Sequence, residues 1–144
     1  MDSGAVGRVA LMSIRPIYAE AILRGDKRVE FRKRPVASDV THVVVYATQP
    51  TGAIVGAFRV AGQETSSLPD LWHAFGSVAG IQHHEFVEYY QAHRKGTCIR
   101  VGDVFVADAH IALNEAFGVH RPPQSFQYVD VGCAKDLLQT MRSA

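Results

Sequence analysis

Cysteine, net charge and long hydrophobic runs are all scarce in this sequence. The two cysteines among 144 residues, Cys98 and Cys133, cannot build a disulfide framework and stand in no C-x-x-C spacing, so they read as thiols of a reducing compartment. No apolar stretch nears the roughly 18 residues that span a bilayer, and the opening segment, residues 1–14, lacks the basic n-region and long apolar core of an export signal. No membrane segment is therefore expected, and the expected location is cytoplasmic. Neither G-x-x-x-x-G-K-[ST] nor G-x-G-x-x-G occurs, which removes the usual ATP and dinucleotide cradles; no cofactor is called for. Seven histidines are present, but no two share a helix face beside an acid, so no metal site is expected.

Apolar residues make up 47% and charged residues 20%, the composition of a chain with a real core. The length favours one domain over residues 1–144. Val9–Ile14 reads as a buried strand, and Pro16–Arg24 as a helix with Ile17, Ala21 and Ile22 at helical spacing and Gly25 in the stop position. Lys27–Lys33 alternates, placing Val29 and Phe31 on one face and Arg28, Glu30 and Arg32 on the other, a half-buried strand. Thr41–Thr48 and Ala53–Ala61 read as strands, with Gly56 marking a bulge or close backbone approach. Two helices follow, one carrying Leu71, Trp72 and Phe75 behind a Ser67 cap, the other over 81–92 with Phe86, Tyr89 and Tyr90 to pack. Strands are expected at 97–101 and 104–107, joined by a turn at Gly102-Asp103, and at 126–131, with a last helix over 133–141. Antiparallel strands with helices segregated in sequence predict an α+β domain on a curved sheet or small barrel.

The net charge is +1, yet its distribution is lopsided. Residues 15–34 carry Arg15, Arg24, Lys27, Arg28, Arg32, Lys33 and Arg34 against Glu20, Asp26 and Glu30, giving +4, while the remainder carries −3. A cationic cluster of this kind costs self-repulsion and fits an anionic partner. Within it Glu30 lies two residues from Arg28 and from Arg32, close enough along a strand to pair with either; an ion-pair ladder and a binding site are equally compatible with that spacing. Lys27 projects to the opposite face of a regular strand unless the strand starts late. Tyr46, opposite Val43 and Val45, is a candidate cleft wall, and Ser125 a candidate loop contact.

Leu11-Met12-Ser13-Ile14-Arg15-Pro16, followed by Gly25-Asp26-Lys27-Arg28-Val29-Glu30-Phe31-Arg32, resembles the ASCH (activating signal cointegrator homology) domain, whose G-x-K-x-x-E-x-R motif is complete here. Further blocks, among them Val44–Thr48, Ile54–Gly56, Glu85–Tyr90 and Pro122–Tyr128, extend the resemblance over about 9–130, leaving a C-terminal helix at 132–144. The resemblance implies a PUA-like small β-barrel of mostly antiparallel strands, about five or six, flanked by about two to four helices, with a cleft beside the first helix. It also implies RNA or nucleotide ligands. The leading reading is an RNA- or nucleotide-binding module with Arg15, Lys27, Arg28, Glu30, Arg32, Tyr46 and Ser125 as ligand contacts. The alternative is a hydrolase with Lys27 and Glu30 catalytic, either a ribonuclease or an N-acetylated cytidine amidohydrolase. The amidohydrolase nucleophile, a threonine, falls at the position that holds Glu30. A third reading, a coactivator-like interaction domain, requires exposed apolar surface around Phe86, Tyr89 and Tyr90.

Overall fold

In the computed structural model, which describes residues 5–144, seven strands and five helices follow one another. They are β1 (Arg8–Ile14), α1 (Pro16–Arg24), β2 (Val29–Arg32), β3 (Val40–Ala47), β4 (Ala53–Ser67), α2 (Leu68–Phe75), α3 (His83–Tyr90), β5 (Lys95–Ile111), α4 (Leu113–Phe117), β6 (Phe126–Val129), α5 (Val131–Gln139) and β7 (Arg142–Ser143), with a single 3-10 turn at Gly76–Val78. The opening segment weighed as an export signal begins at residues 1–4, outside the described residues.

Alternation explains the centre of the sheet. In β1, Ala10, Met12 and Ile14 enter one core cluster while Val9 and Leu11 enter another, and all five are buried. A strand apolar on both faces belongs inside a sheet. β1 pairs in parallel with β3 and antiparallel with β6, and the sheet runs β2-β5-β4-β3-β1-β6, with β7 on β5. One face packs Met12, Val43, Val45, Phe58 and Ile99 with Ala19 and Ile22 of α1. The opposite face packs Leu11, Val44, Tyr46 and Ile54 beneath Leu113 of α4 and Ala134 and Leu137 of α5. A third cluster joins Val29 and Phe31 of β2 to Leu71, Phe86 and Tyr90 of α2 and α3.

The architecture is α+β, as the strand and helix pattern predicts, with differences that have physical causes. The sheet is not closed: its edges, β2 and β6, are short and share no backbone ladder among the described residues. Arg32 of β2 spans the gap instead, donating from Nη2 to Ser125 Oγ just before β6 at 2.7 Å. Five helices form rather than two to four, because the Ala112–Phe117 stretch closes one short helix, stopped by the left-handed Gly118. No turn interrupts 97–107; β5 runs through Gly102, where a β-carbon would stand 2.9 Å from the Arg59 carbonyl oxygen, so this glycine serves strand contact rather than reversal. Gly56 behaves as its place within a strand predicts. The register shifts beside it, and a β-carbon there would meet the Phe105 carbonyl oxygen and the Leu23 side chain. In α1, Ile17 is exposed while Ala19, Ala21 and Ile22 are buried.

Cys98 lies fully buried against the third cluster, and burial pushes its thiol up from 9.0 to about 12. An unfolded thiol ionises near its ordinary value, so the folded state holds more protons between about pH 9 and 12, and stability falls as pH rises through that window. Urea midpoints of Cys98→Ala should therefore decline less steeply above pH 9 than those of the wild type, by up to about 1.4 kcal/mol per pH unit. Parallel declines would show that Cys98 is not the group responsible.

Candidate functional site

The open edge of the sheet makes a cleft of ≈ 920 Å³ between α1, β2, α3 and the segment entering β6. Its floor follows from how α1 ends. Gly25, with φ 90°, turns the chain, and the backbone N–H groups of Asp26 and Lys27 both donate to the Ala21 carbonyl. The strand proper starts only at Val29, so Lys27 sits before the ladder and its side chain swings inward. Lys27 is 2% exposed, Glu30 6% and Arg32 8%. Lys27 Nζ donates to the Ala79 carbonyl at 2.6 Å and stands 3.8 Å from Glu30 Oε1. Glycine is needed at Gly80 to bring that carbonyl so close: φ there is +67°, and a β-carbon would lie 2.6 Å from Lys27 Cβ.

Glu30 is shared. Its Oε2 accepts from Arg32 Nη1 at 3.0 Å, so one buried carboxylate faces two buried cations. Arg32 Nη1 also lies 3.3 Å from the Ser13 carbonyl oxygen, while Nε is buried without a partner among the described residues. The guanidinium thus ties β2, β1 and Ser125 together. Burial drives the Lys27 pKa below the ordinary lysine value, with the Glu30 charge opposing that shift. The Lys27 ammonium stands over two aromatic rings, with Nζ 5.3 Å from the centroid of Tyr18 and 5.8 Å from that of Phe31.

Above this floor the walls are mixed in charge. Tyr18 donates from its hydroxyl to Glu85 Oε2 at 2.8 Å, and Glu85 Oε1 accepts from the Gln82 backbone at the start of α3. That backbone contact, more than the tyrosine, holds the Glu85 carboxyl below its ordinary range. Burial, aided by Glu85, raises the Tyr18 phenol. Arg15, Lys33 and Arg34 stand at the rim as exposed cations, and Lys33 Nζ lies 5.0 Å from the Tyr89 ring centroid. Among the described residues no cluster of three or more His, Cys, Asp or Glu is placed to hold a metal ion, and no helix is long and apolar enough to cross a membrane.

Of the ligand contacts expected from the sequence, Arg15, Lys27, Glu30, Arg32 and Ser125 line this cleft. Arg28 and Tyr46 do not. Arg28 precedes the ladder, with its N–H on the Val78 carbonyl and its own carbonyl accepting from Val101, and it is exposed and outside the cleft lining. Tyr46 alternates as expected, but its face is covered by α4 and α5, and it is buried in the second cluster. The β2 strand is buried on both faces rather than half-buried, because the cleft floor itself encloses Glu30 and Arg32. Of the residues named for a coactivator-like surface, Phe86 and Tyr90 are buried and Tyr89 is exposed. Sequence reasoning passed over Tyr18, Glu85 and Tyr89 as site residues. The Glu85 signal was present, since Gln82 and Glu85 carry capping-box spacing, but nothing local shows that α3 faces α1.

No family model matches the chain. A stretch of 95 residues is 28% identical to the ASCH domain-containing ribonuclease of Zymomonas mobilis subsp. mobilis, spanning 65% of this chain and 64% of that protein. Part of the large ribosomal subunit protein uL22 of Ureaplasma parvum serovar 3 is 26% identical over 120 residues, 83% of this chain but 38% of that longer protein. The crystal structure of the ASCH protein from Zymomonas mobilis superposes with a TM-score of 0.80 at 25% identity, covering 93% of this chain and 96% of its own. With the G-x-K-x-x-E-x-R segment forming the cleft floor, the chain is similar to an ASCH-domain protein in both sequence and fold.

Proposed function

We propose that the chain binds single-stranded RNA in this cleft and cleaves its phosphodiester backbone. The observation that carries the reading is the buried Lys27–Glu30–Arg32 row at the floor of a cleft rimmed by Arg15, Lys33 and Arg34. A lysine ammonium has three N–H donors, and Lys27 commits one to Ala79 and leans a second toward Glu30, leaving one for a phosphoryl oxygen. Negative charge builds on those oxygens as the neighbouring ribose 2′-hydroxyl, losing its proton to solvent, bonds to phosphorus and the bond to the 5′-oxygen of the next nucleotide breaks; a fixed, poorly hydrated cation stabilises that charge strongly. The lowered pKa of Lys27 also makes it a better proton donor to the departing oxygen than an ordinary lysine. Arg32 and Glu30 position the row, Ser125 offers a hydroxyl at its end, and Tyr89 offers a ring to an unstacked base. The ribonuclease name of the Zymomonas relative agrees with this chemistry. Amide hydrolysis fits less well, since Glu30, at the nucleophile position, is engaged by Arg32.

The test is a fluorescein-labelled oligouridylate incubated with the protein and resolved on a denaturing gel. Labelled fragments are expected with the wild type, and persistently intact RNA would overturn the cleavage step. For binding, a non-cleavable 2′-O-methyl oligouridylate should lose affinity as salt rises, with a log–log slope of about −0.7 per phosphate neutralised. Arg15→Ala and Arg34→Ala should each flatten that slope by roughly 0.7 if each holds one phosphate. Salt-independent binding would remove the rim cations from the interface.

A further inference from the structure

We infer that the groove between α2 and α3 is a base-stacking subsite, taking a nucleotide that flanks the one held in the main cleft; this rests on the RNA reading above. The groove has a volume of ≈ 390 Å³ and is lined chiefly by Trp72, His83, Phe86, Val87 and Leu68. Its aromatic groups are already arranged for stacking. Trp72 and His83 have ring centroids 5.0 Å apart, His83 lies nearly parallel to Phe86, and Trp72 and His83 both keep exposed surface.

Three observations favour RNA as the occupant. Gln91, at the end of α3, lines both this groove and the main cleft, so one strand can pass from one to the other. The passage is flanked on the cleft side by Lys33, whose Nζ lies 5.0 Å from the Tyr89 ring centroid. Among the described residues no carboxylate lines the groove, whereas Glu85 and Glu88 line the cleft, so the groove suits a base and its adjoining phosphate. An aromatic platform beside cations that track a backbone is the usual composition of a site that takes successive bases without reading their edges.

Trp72 is the only tryptophan in the chain, so its fluorescence reports on this groove alone. The probes are 2′-O-methyl oligoadenylates of two and of eight nucleotides, with binding followed independently by anisotropy of a terminal label. The octanucleotide should quench Trp72 emission and bind at least roughly tenfold more tightly than the dinucleotide, which should leave the emission unchanged. Val87 is 52% exposed, so Val87→Asp introduces a charge without disturbing the core, and it should bring the octanucleotide to the dinucleotide's affinity. Octanucleotide binding by anisotropy with unaltered Trp72 emission would overturn the subsite and leave the main-cleft reading intact. Absence of any binding would overturn both. A dimer in sedimentation that Val87→Asp converts to monomer would also overturn the subsite and assign the groove to a second copy of this chain.

Discussion

Glu30→Gln is expected to lower the melting temperature by about 10 °C or more, the largest stability effect of any single substitution in the cleft. Glutamine keeps the shape and still offers an oxygen to Arg32, so packing is nearly unchanged. What changes is the charge count. Glu30 is the one carboxylate between two cations that are themselves almost fully buried, Lys27 at 3.8 Å and Arg32 at 3.0 Å. Breaking a buried pair by removing one partner costs about 3–5 kcal/mol, because the remaining charge stays desolvated and unmatched. The loss should depend on pH with a definite sign. Burial already depresses the Lys27 pKa, and without Glu30 it falls further, so the unfolded state binds more protons than the folded state over a wider window below the ordinary lysine value. Stability of the variant therefore rises with pH in that window, and its gap to the wild type should narrow as pH rises toward the depressed Lys27 value of the wild type. An unchanged melting temperature would place Glu30 in contact with solvent and ligand rather than in a buried ladder. A large drop in melting temperature with RNA binding and cleavage intact would make the row a structural feature.

The ambiguity this variant resolves could be read in the sequence but not settled there. Alternation shows which residues share a strand face, and Glu30 and Arg32 do pair. Alternation does not show where the ladder starts, and one residue decides two roles. Because pairing begins at Val29, Lys27 turns into the cleft and Arg28 is exposed outside its lining. The ends of α1 were legible to the residue, since Pro16 fixes the first turn and Gly25 takes the left-handed stop. Both are local signals. Tyr46 shows the limit of such signals: its own strand places it correctly, yet the helix that covers it comes from the far end of the chain. The cleft is likewise non-local, since Arg32 and Ser125 meet only because the two edges of the sheet turn toward each other. Local patterning thus recovers elements and faces, while the site depends on which distant segment covers each face.

Lys27→Met should show the opposite pattern to Glu30→Gln: cleavage reduced by about 10²-fold or more, with stability changed by no more than about 2 kcal/mol. Methionine fills the buried volume of the Lys27 stem beside Tyr18 and Phe31. Its loss of charge leaves Glu30 paired with Arg32, a balanced couple, and ends the cost of keeping an ammonium out of water. Against that gain stands the Ala79 carbonyl, which loses its donor, an effect of about 1–3 kcal/mol in the other direction. The two nearly cancel in stability, and nothing compensates in catalysis, because the only buried ammonium of the cleft floor is gone. The pH–rate profile separates chemistry from mere support. If the Lys27 ammonium supplies charge or a proton to the reacting phosphate, the wild-type rate falls as pH rises through the depressed lysine pKa, and the residual rate of Lys27→Met lacks that limb. A variant that melts like the wild type, cuts RNA at the wild-type rate and keeps the same pH profile would leave Lys27 as a buried strut between α1 and the Ala79 carbonyl.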